Sequence, residues 1–172
     1  KVFEIIEAKK IFDLTYKDLK ILVHPKSYIH AIVKFNNGLT KILIHDTNMI
    51  IPIFNSLYEN DVKKIKTKDL DFSKINNLNL KSIDLKKFPV VKILNHLPNR
   101  NSLYETVIVS ANDTLVKLFL NKKIKFVDIS KILLKFISNK EFLKFKRLIP
   151  KKIEDIVKLN NYVSLKINTL DI

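Results

Sequence analysis

A single glycine constrains this chain more than any other feature. Gly38 is the one glycine in 172 residues, and it falls between two apolar runs, after Asn36-Asn37 and before Leu39. Glycine takes positive φ without steric cost, so Gly38 marks a tight hairpin turn. The run before it alternates. Ile29, Ala31, Val33 and Phe35 point one way, and Tyr28, His30, Ile32 and Lys34 the other. A period of two predicts a half-buried strand with Val33 in the core. Leu39 to His45 is the returning strand. Pro25 has no N–H to give and pushes His24 towards extended backbone, which suits a strand boundary.

Around this hairpin the pattern is mostly helical. Lys1 to Phe12 reads as an amphipathic helix on which Lys1 and Glu4, three residues apart, are first-turn neighbours. Ile21 to His24 reads as a short strand. Ile50 to Tyr58 reads as a short helix that tolerates Pro52 in its first turn. From Glu59 to Lys87 charges alternate with isolated apolar residues, and the segment reads as an extended connector. Pro89 suits the first position of a helix. Leu103 to Leu120 and Ile153 to Ile167 carry apolar residues at helical spacing, as do Ile129, Ile132, Leu133 and Phe136, with Asp128 and Ser130 as caps. The last part therefore reads as a small helical bundle. The fold class is α+β. A first part at 1–58, with a β-hairpin or small mixed sheet and helices, is followed by a linker at 59–87 and a C-terminal helical domain at 88–172.

Composition narrows the function classes. No apolar run approaches the ~20 residues of a membrane span. The chain has no cysteine, which excludes disulfides and thiolate metal sites. Lys rather than Met at position 1 reads as a piece of something longer. The net charge of +15 raises the question of a polyanionic partner. Of the 32 basic residues only Arg100 and Arg147 are arginine, the residue whose planar fork reads phosphates and base edges. Solvated surface lysine accounts for the charge, and no nucleic acid or membrane partner is expected.

A resemblance emerges from motifs in order. His24-Pro25-Lys26-Ser27-Tyr28-Ile29-His30 resembles the His-Pro-Gln-Ser-x-Ile-His hairpin of the deoxyxylulose phosphate reductoisomerase family. Lys1-Val2-Phe3-Glu4-Ile5-Ile6-Glu7-Ala8 is similar to that family's Asn-Lys-Gly-Leu-Glu-x-Ile-Glu-Ala helix, with Val2 where the family has Gly. Asp46 to Ile53 is similar to its Pro-Asp-Met-x-x-Pro-Ile segment. There Met49 and Pro52 are kept, while Thr47 replaces Pro and Asn48 replaces Asp. Leu70-Asp71-Phe72, Phe88-Pro89, Ala111-Asn112-Asp113 and Ile124 to Ile129 continue the match into the linker and the helical part.

By that resemblance the intact protein is an oxidoreductase of non-mevalonate isoprenoid biosynthesis. It converts 1-deoxy-D-xylulose 5-phosphate to 2-C-methyl-D-erythritol 4-phosphate with NADPH and Mg²⁺ or Mn²⁺, and it is a homodimer. The resemblance implies that Lys1 holds the substrate phosphate and Glu4 ligates the divalent metal at the substrate. It also implies that Ser27 and His30 line the substrate pocket and that Met49 lies near the nicotinamide. His30 reads equally as a satisfied strand histidine. No Gly-rich nucleotide fingerprint is present, and the family's other two acidic metal ligands lie upstream of Lys1. This chain alone is therefore expected to be inactive. The expected location is the bacterial cytoplasm, or the plastid in a eukaryote. Two alternatives stand beside this reading. One is a basic nucleic-acid-binding module using Phe142-Leu143-Lys144-Phe145-Lys146-Arg147. The other is a degenerate, non-catalytic paralogue.

Overall fold

The computed structural model describes residues 1–58, 64–69, 71–76 and 78–170. Leu70 of the Leu-Asp-Phe spacing and the start of the predicted connector at 59–63 lie outside them. The chain forms two compact units, Lys1–Lys20 with Asp84–Ile172, and Ile21–Ile83. The first twenty residues thus group with the C-terminal helices. The three-part division read from the sequence stays a proposal about the intact protein.

The first unit is built around α4 (Leu103–Leu120). Val107, Ile108, Ala111 and Leu115 recur at spacings of one to four and are wholly buried, the mark of a helix with an apolar stripe against a core. α4 packs against α5 (Phe126–Ile137) and α7 (Ile153–Asn168). Leu133, Phe136 and Ile137 come from α5 and Leu159, Val163 and Ile167 from α7. The seam between α4 and α7 also holds a polar strip. Ser110 Oγ donates to Asn160 Oδ1 at 2.6 Å, and Thr114 Oγ1 lies 3.0 Å from Ser164 Oγ. Both buried hydroxyls of this strip are therefore paired. α1 (Val2–Ile11) joins this core through Val2 and Ile6, one turn apart. It packs on the 3-10 helix Pro89–His96, which places Pro89 at its first position.

Asp128 does not cap α5 from outside. It sits in the first turn, and its carboxylate accepts from Lys125 N at 2.9 Å. Ser130 lies inside the helix and donates to Val127 O. The stretch 142–147, the candidate nucleic-acid-binding run, holds the end of α6 (Lys140–Leu143) and the 3-10 turn Lys144–Arg147. Phe142 there is 1% exposed and stacks on Phe136 with centroids 4.3 Å apart. Phe145 packs against the same core. Rings committed to the interior cannot stack on bases, which removes the geometric basis of the nucleic-acid reading.

The second unit contains two antiparallel ladders. β1 (Leu22–Val23) pairs with β4 (Lys81–Ser82), and β2 (Ile29–Lys34) pairs with β3 (Thr40–Ile44). The β4 strand lies within the segment read as connector. So does α3 (Phe72–Ile75), whose N-cap Asp71 accepts from Ser73 N. α2 (Ile50–Leu57) follows the hairpin.

Gly38 has φ +87°, and Phe35 bonds across the turn to Leu39 and Gly38, a three-residue loop closed by a left-handed glycine. No atom outside its neighbours lies within 4 Å of an added Cβ. Gly38→Ala therefore tests backbone strain alone, and chemical denaturation of the intact protein should show a loss of about 1–2 kcal/mol. A neutral result would mean that the turn relaxes out of the left-handed region.

The predicted half-burial of β2 is not found. From His30 onward the strand is exposed, as is β3 up to Leu43. Val33, read as core, is 49% exposed and Leu43 55%. A two-stranded ribbon has two faces, and alternation alone cannot say what covers either. A bulge adds to the departure. Ile29 faces Ile44 and Ala31 faces Leu43, so His30 is the extra residue and the simple alternation is interrupted there.

Candidate functional site

α1 presents its first turn to solvent while Val2 and Ile6 anchor its other face. On that turn Lys1 Nζ and Glu4 Oε2 meet at 2.6 Å, with both side chains more than half exposed. The Lys1 hydrogen bond holds the Glu4 carboxyl below the usual carboxylate range, against a smaller opposing effect of partial burial. An exposed pair of this kind is worth no more than about 1 kcal/mol. Each charge is therefore available to a stronger partner. An ammonium beside free helix N–H groups suits a phosphate. A carboxylate suits a hard divalent cation.

Ser27, His30 and Met49 belong to the other compact unit and sit on separate segments of it. Ser27 takes φ +56° in the turn after β1, and its N–H donates to His24 O at 3.0 Å. That turn is held by His24, whose Nδ1 accepts from the backbone N–H groups of Tyr28 and Ile29 at 3.1 and 3.3 Å. His24 thus has the structural role at a strand end that the sequence suggests. A small open hollow of about 130 Å³ beside it is lined by His24, Pro25, Lys26 and Asn79.

His30 occupies the bulge, where its ring stacks on that of His45 at 3.6 Å and its Nε2 lies 3.3 Å from His45 O. A bulge re-aims a side chain, and such irregularities concentrate beside active sites. Met49 precedes α2 and is exposed. Asn48, which replaces the family's Asp, accepts from Ile50 N at 3.0 Å through Oδ1. An aspartate oxygen would make the same contact, so the start of α2 survives the exchange.

Glu4 can supply one hard oxygen to a metal. Among the described residues no group of three or more His, Asp and Glu side chains comes together. The fit is therefore that of one ligand of a larger set. No helix among the described residues is long and apolar enough to cross a membrane.

A carboxylate that the sequence reading passed over lies behind α1. Glu105, on the first turn of α4, is 2% exposed. Its Oε2 meets Lys10 Nζ at 2.7 Å, and its Oε1 accepts from the Tyr16 hydroxyl at 2.8 Å. Burial, and then this bond, push the Tyr16 hydroxyl well above its ordinary range. The signal was present, because Ser102-x-x-Glu105 has the spacing of a capping box. The structure uses those residues otherwise.

Comparison with known proteins identifies the family of the chain. Residues 45–164 match the family model described as DXP reductoisomerase C-terminal domain. A 1-deoxy-D-xylulose 5-phosphate reductoisomerase of Pelagibacter ubique is 65% identical over 172 residues, all of this chain and 44% of that protein. One from Sulfurihydrogenibium is 35% identical over 84% of this chain and 38% of its own length. The chain thus spans less than half the length of these relatives. Among solved structures, the Zymomonas mobilis reductoisomerase in complex with NADPH superposes with a TM-score of 0.80 at 28% identity, over 97% of this chain and 43% of that one. A reductoisomerase complex with NADPH, fosmidomycin and magnesium shares the fold, with a TM-score of 0.85 at 24% identity over 97% of this chain and 42% of that one. The chain belongs to the 1-deoxy-D-xylulose 5-phosphate reductoisomerase family.

Proposed function

We propose that this chain is the C-terminal part of an enzyme that converts 1-deoxy-D-xylulose 5-phosphate to 2-C-methyl-D-erythritol 4-phosphate. The observation that carries the reading is the Lys1–Glu4 pair on an exposed helix N-terminus, in a chain 65% identical throughout to a reductoisomerase. When bound, Mg²⁺ or Mn²⁺ would polarise and template the substrate oxygens, and NADPH would supply the hydride.

This chain's own residues bind and orient. Lys1, helped by the positive end of α1, holds the phosphate of the sugar. Glu4 gives one oxygen to the metal. The Ser27 hydroxyl and the His30 imidazole would line the sugar pocket, and Met49 would lie near the nicotinamide. The rest of the metal set and the nucleotide fold are supplied from outside this chain, so the 172 residues alone are inactive. We place the enzyme in the cytoplasm of a bacterium, or in a plastid if the source is a eukaryote.

The test is consumption of NADPH by the full-length protein with 1-deoxy-D-xylulose 5-phosphate and Mn²⁺, with no turnover when the metal is removed. A folded full-length protein that binds neither metal nor NADPH would instead be the degenerate relative.

The hairpin supports a second part of the reading, a homodimer. Ile32, Val33, Phe35, Leu39, Ile42 and Leu43 are all exposed on one short ribbon. Apolar surface on this scale marks an interface, and an uncovered strand edge invites pairing. Ile42→Lys should convert a full-length dimer to monomer in light scattering while the helical signal persists. If Ile42 faces solvent in the native assembly, the change should cost within about ±0.5 kcal/mol and leave the mass unaltered. A full-length protein that is monomeric at the outset ends the idea.

A further inference from the structure

α1 is held at both ends by different means. Val2 and Ile6 bury one face of its first turns in the core. Its last turn and the segment after it are tied to the residues that lead into α4. Lys9 Nζ lies 3.5 Å from Asn101 Oδ1, and Tyr16 N donates to Asn99 Oδ1 at 3.3 Å. Lys10 and Tyr16 both converge on the Glu105 carboxylate. Glu105 thus grips the last turn of α1 and the following loop together.

Local chemistry is sacrificed for this grip. In a capping box, Ser102 Oγ would accept from the Glu105 backbone N–H and the Glu105 carboxylate would reach back to the Ser102 N–H. Instead α4 has no side-chain cap bond, and Ser102 Oγ is buried with no hydrogen-bond partner. The Glu105–Lys10 contact is an ion pair whose angle departs from that of a directed hydrogen bond. Only the Glu105 side of the pair is buried, for the Lys10 side chain is 44% exposed, and a half-solvated ion pair is a weak route to stability. Sites where a chain breaks a local rule without a gain in stability are where function is to be sought.

We infer that Glu105 is a positioning residue for the Lys1–Glu4 site, acting through the orientation of α1. The inference rests on the functional reading above. Glu4 lies six residues from Lys10, about 9 Å along the helix axis. A tilt of about 10° at the last turn would move the Glu4 carboxylate by about 1.5 Å, whereas a metal–oxygen bond tolerates about 0.2 Å. With Val2 and Ile6 seating the first turns in the core, anchoring the far end of the helix fixes the remaining tilt and with it the ligand geometry at the near end.

The experiment uses the full-length enzyme, with Mn²⁺ affinity measured by calorimetry and kcat and KM measured separately. Glu105→Gln removes the charge opposite Lys10. Tyr16→Phe removes one hydrogen bond and is mild enough to fold. Leu159→Ala loosens the same helical core from α7 without touching the cluster, and serves as the stability control. Outer-shell groups on a metal ligand are worth about 10–100-fold in affinity, and a helix-mediated support should be worth about 3–10-fold. Glu105→Gln and Tyr16→Phe should each weaken Mn²⁺ by that factor and lower kcat more than they raise KM, while Leu159→Ala lowers Tm and leaves affinity within about twofold. Unchanged Mn²⁺ affinity in folded Tyr16→Phe, where Glu4→Gln loses it, overturns the positioning role alone. Unchanged affinity in Glu4→Gln removes the functional reading and this inference with it.

Discussion

Glu4→Gln in the full-length protein should weaken Mn²⁺ binding by at least about 100-fold, because outer-shell partners of metal ligands alone account for about 10–100-fold. The substitution preserves the shape of the side chain. Gln can still reach Lys1 with its amide oxygen, and Val2 and Ile6 still hold the helix in the core. The exposed Lys1–Glu4 pair contributes little to folding. Tm of the metal-free protein should therefore move by no more than a degree or two, and loss of metal with retention of fold is the signature of a ligand. A large fall in Tm together with unchanged calorimetric affinity would reassign Glu4 to structure.

The largest effect on stability is expected at Leu115→Ala. Leu115 is wholly buried at the centre of α4, among residues of the core that α5 and α7 share. Removing a buried leucine costs about 2–5 kcal/mol, because the cavity collapses only partly. Against a typical net stability of about 5–15 kcal/mol, the mid-range loss is about a third of the total. At roughly 2–4 °C per kcal/mol, Tm should fall by about 10 °C. Ile153→Ala, at a residue 75% exposed at the start of α7, should cost within about ±0.5 kcal/mol. If the two substitutions proved equal in thermal denaturation, the bundle would not be the stabilising core described here.

What could be read from the chain, and what could not, follows from range. Leu103–Leu120 matches its predicted bounds because an apolar stripe with a period near 3.6 is written along eighteen consecutive residues. The hairpin was legible because Gly38 is unique and its φ is required locally. The β1–β4 ladder was not. It joins Leu22 and Val23 to residues some sixty positions away, with two residues on each side and no period to detect.

The burial of β2 failed for a related reason. Alternation reveals two faces, but what covers either depends on partners that the pattern does not name. At the site, Lys1 and Glu4 were legible as first-turn neighbours, and the structure brings them to 2.6 Å. Glu105 was not recognised as their support, because its spacing from Ser102 advertises a helix cap. Only the packing of Lys10 and Tyr16 against it reveals the other use.

The measurement that tests the central claim most directly is anomalous scattering from Mn²⁺ in crystals of the full-length protein. The account predicts a peak about 2 Å from a Glu4 oxygen. With a phosphorylated substrate or analogue present, Lys1 Nζ should have left Glu4 for the phosphate. A metal bound elsewhere, with Lys1 and Glu4 still paired to each other, would contradict it.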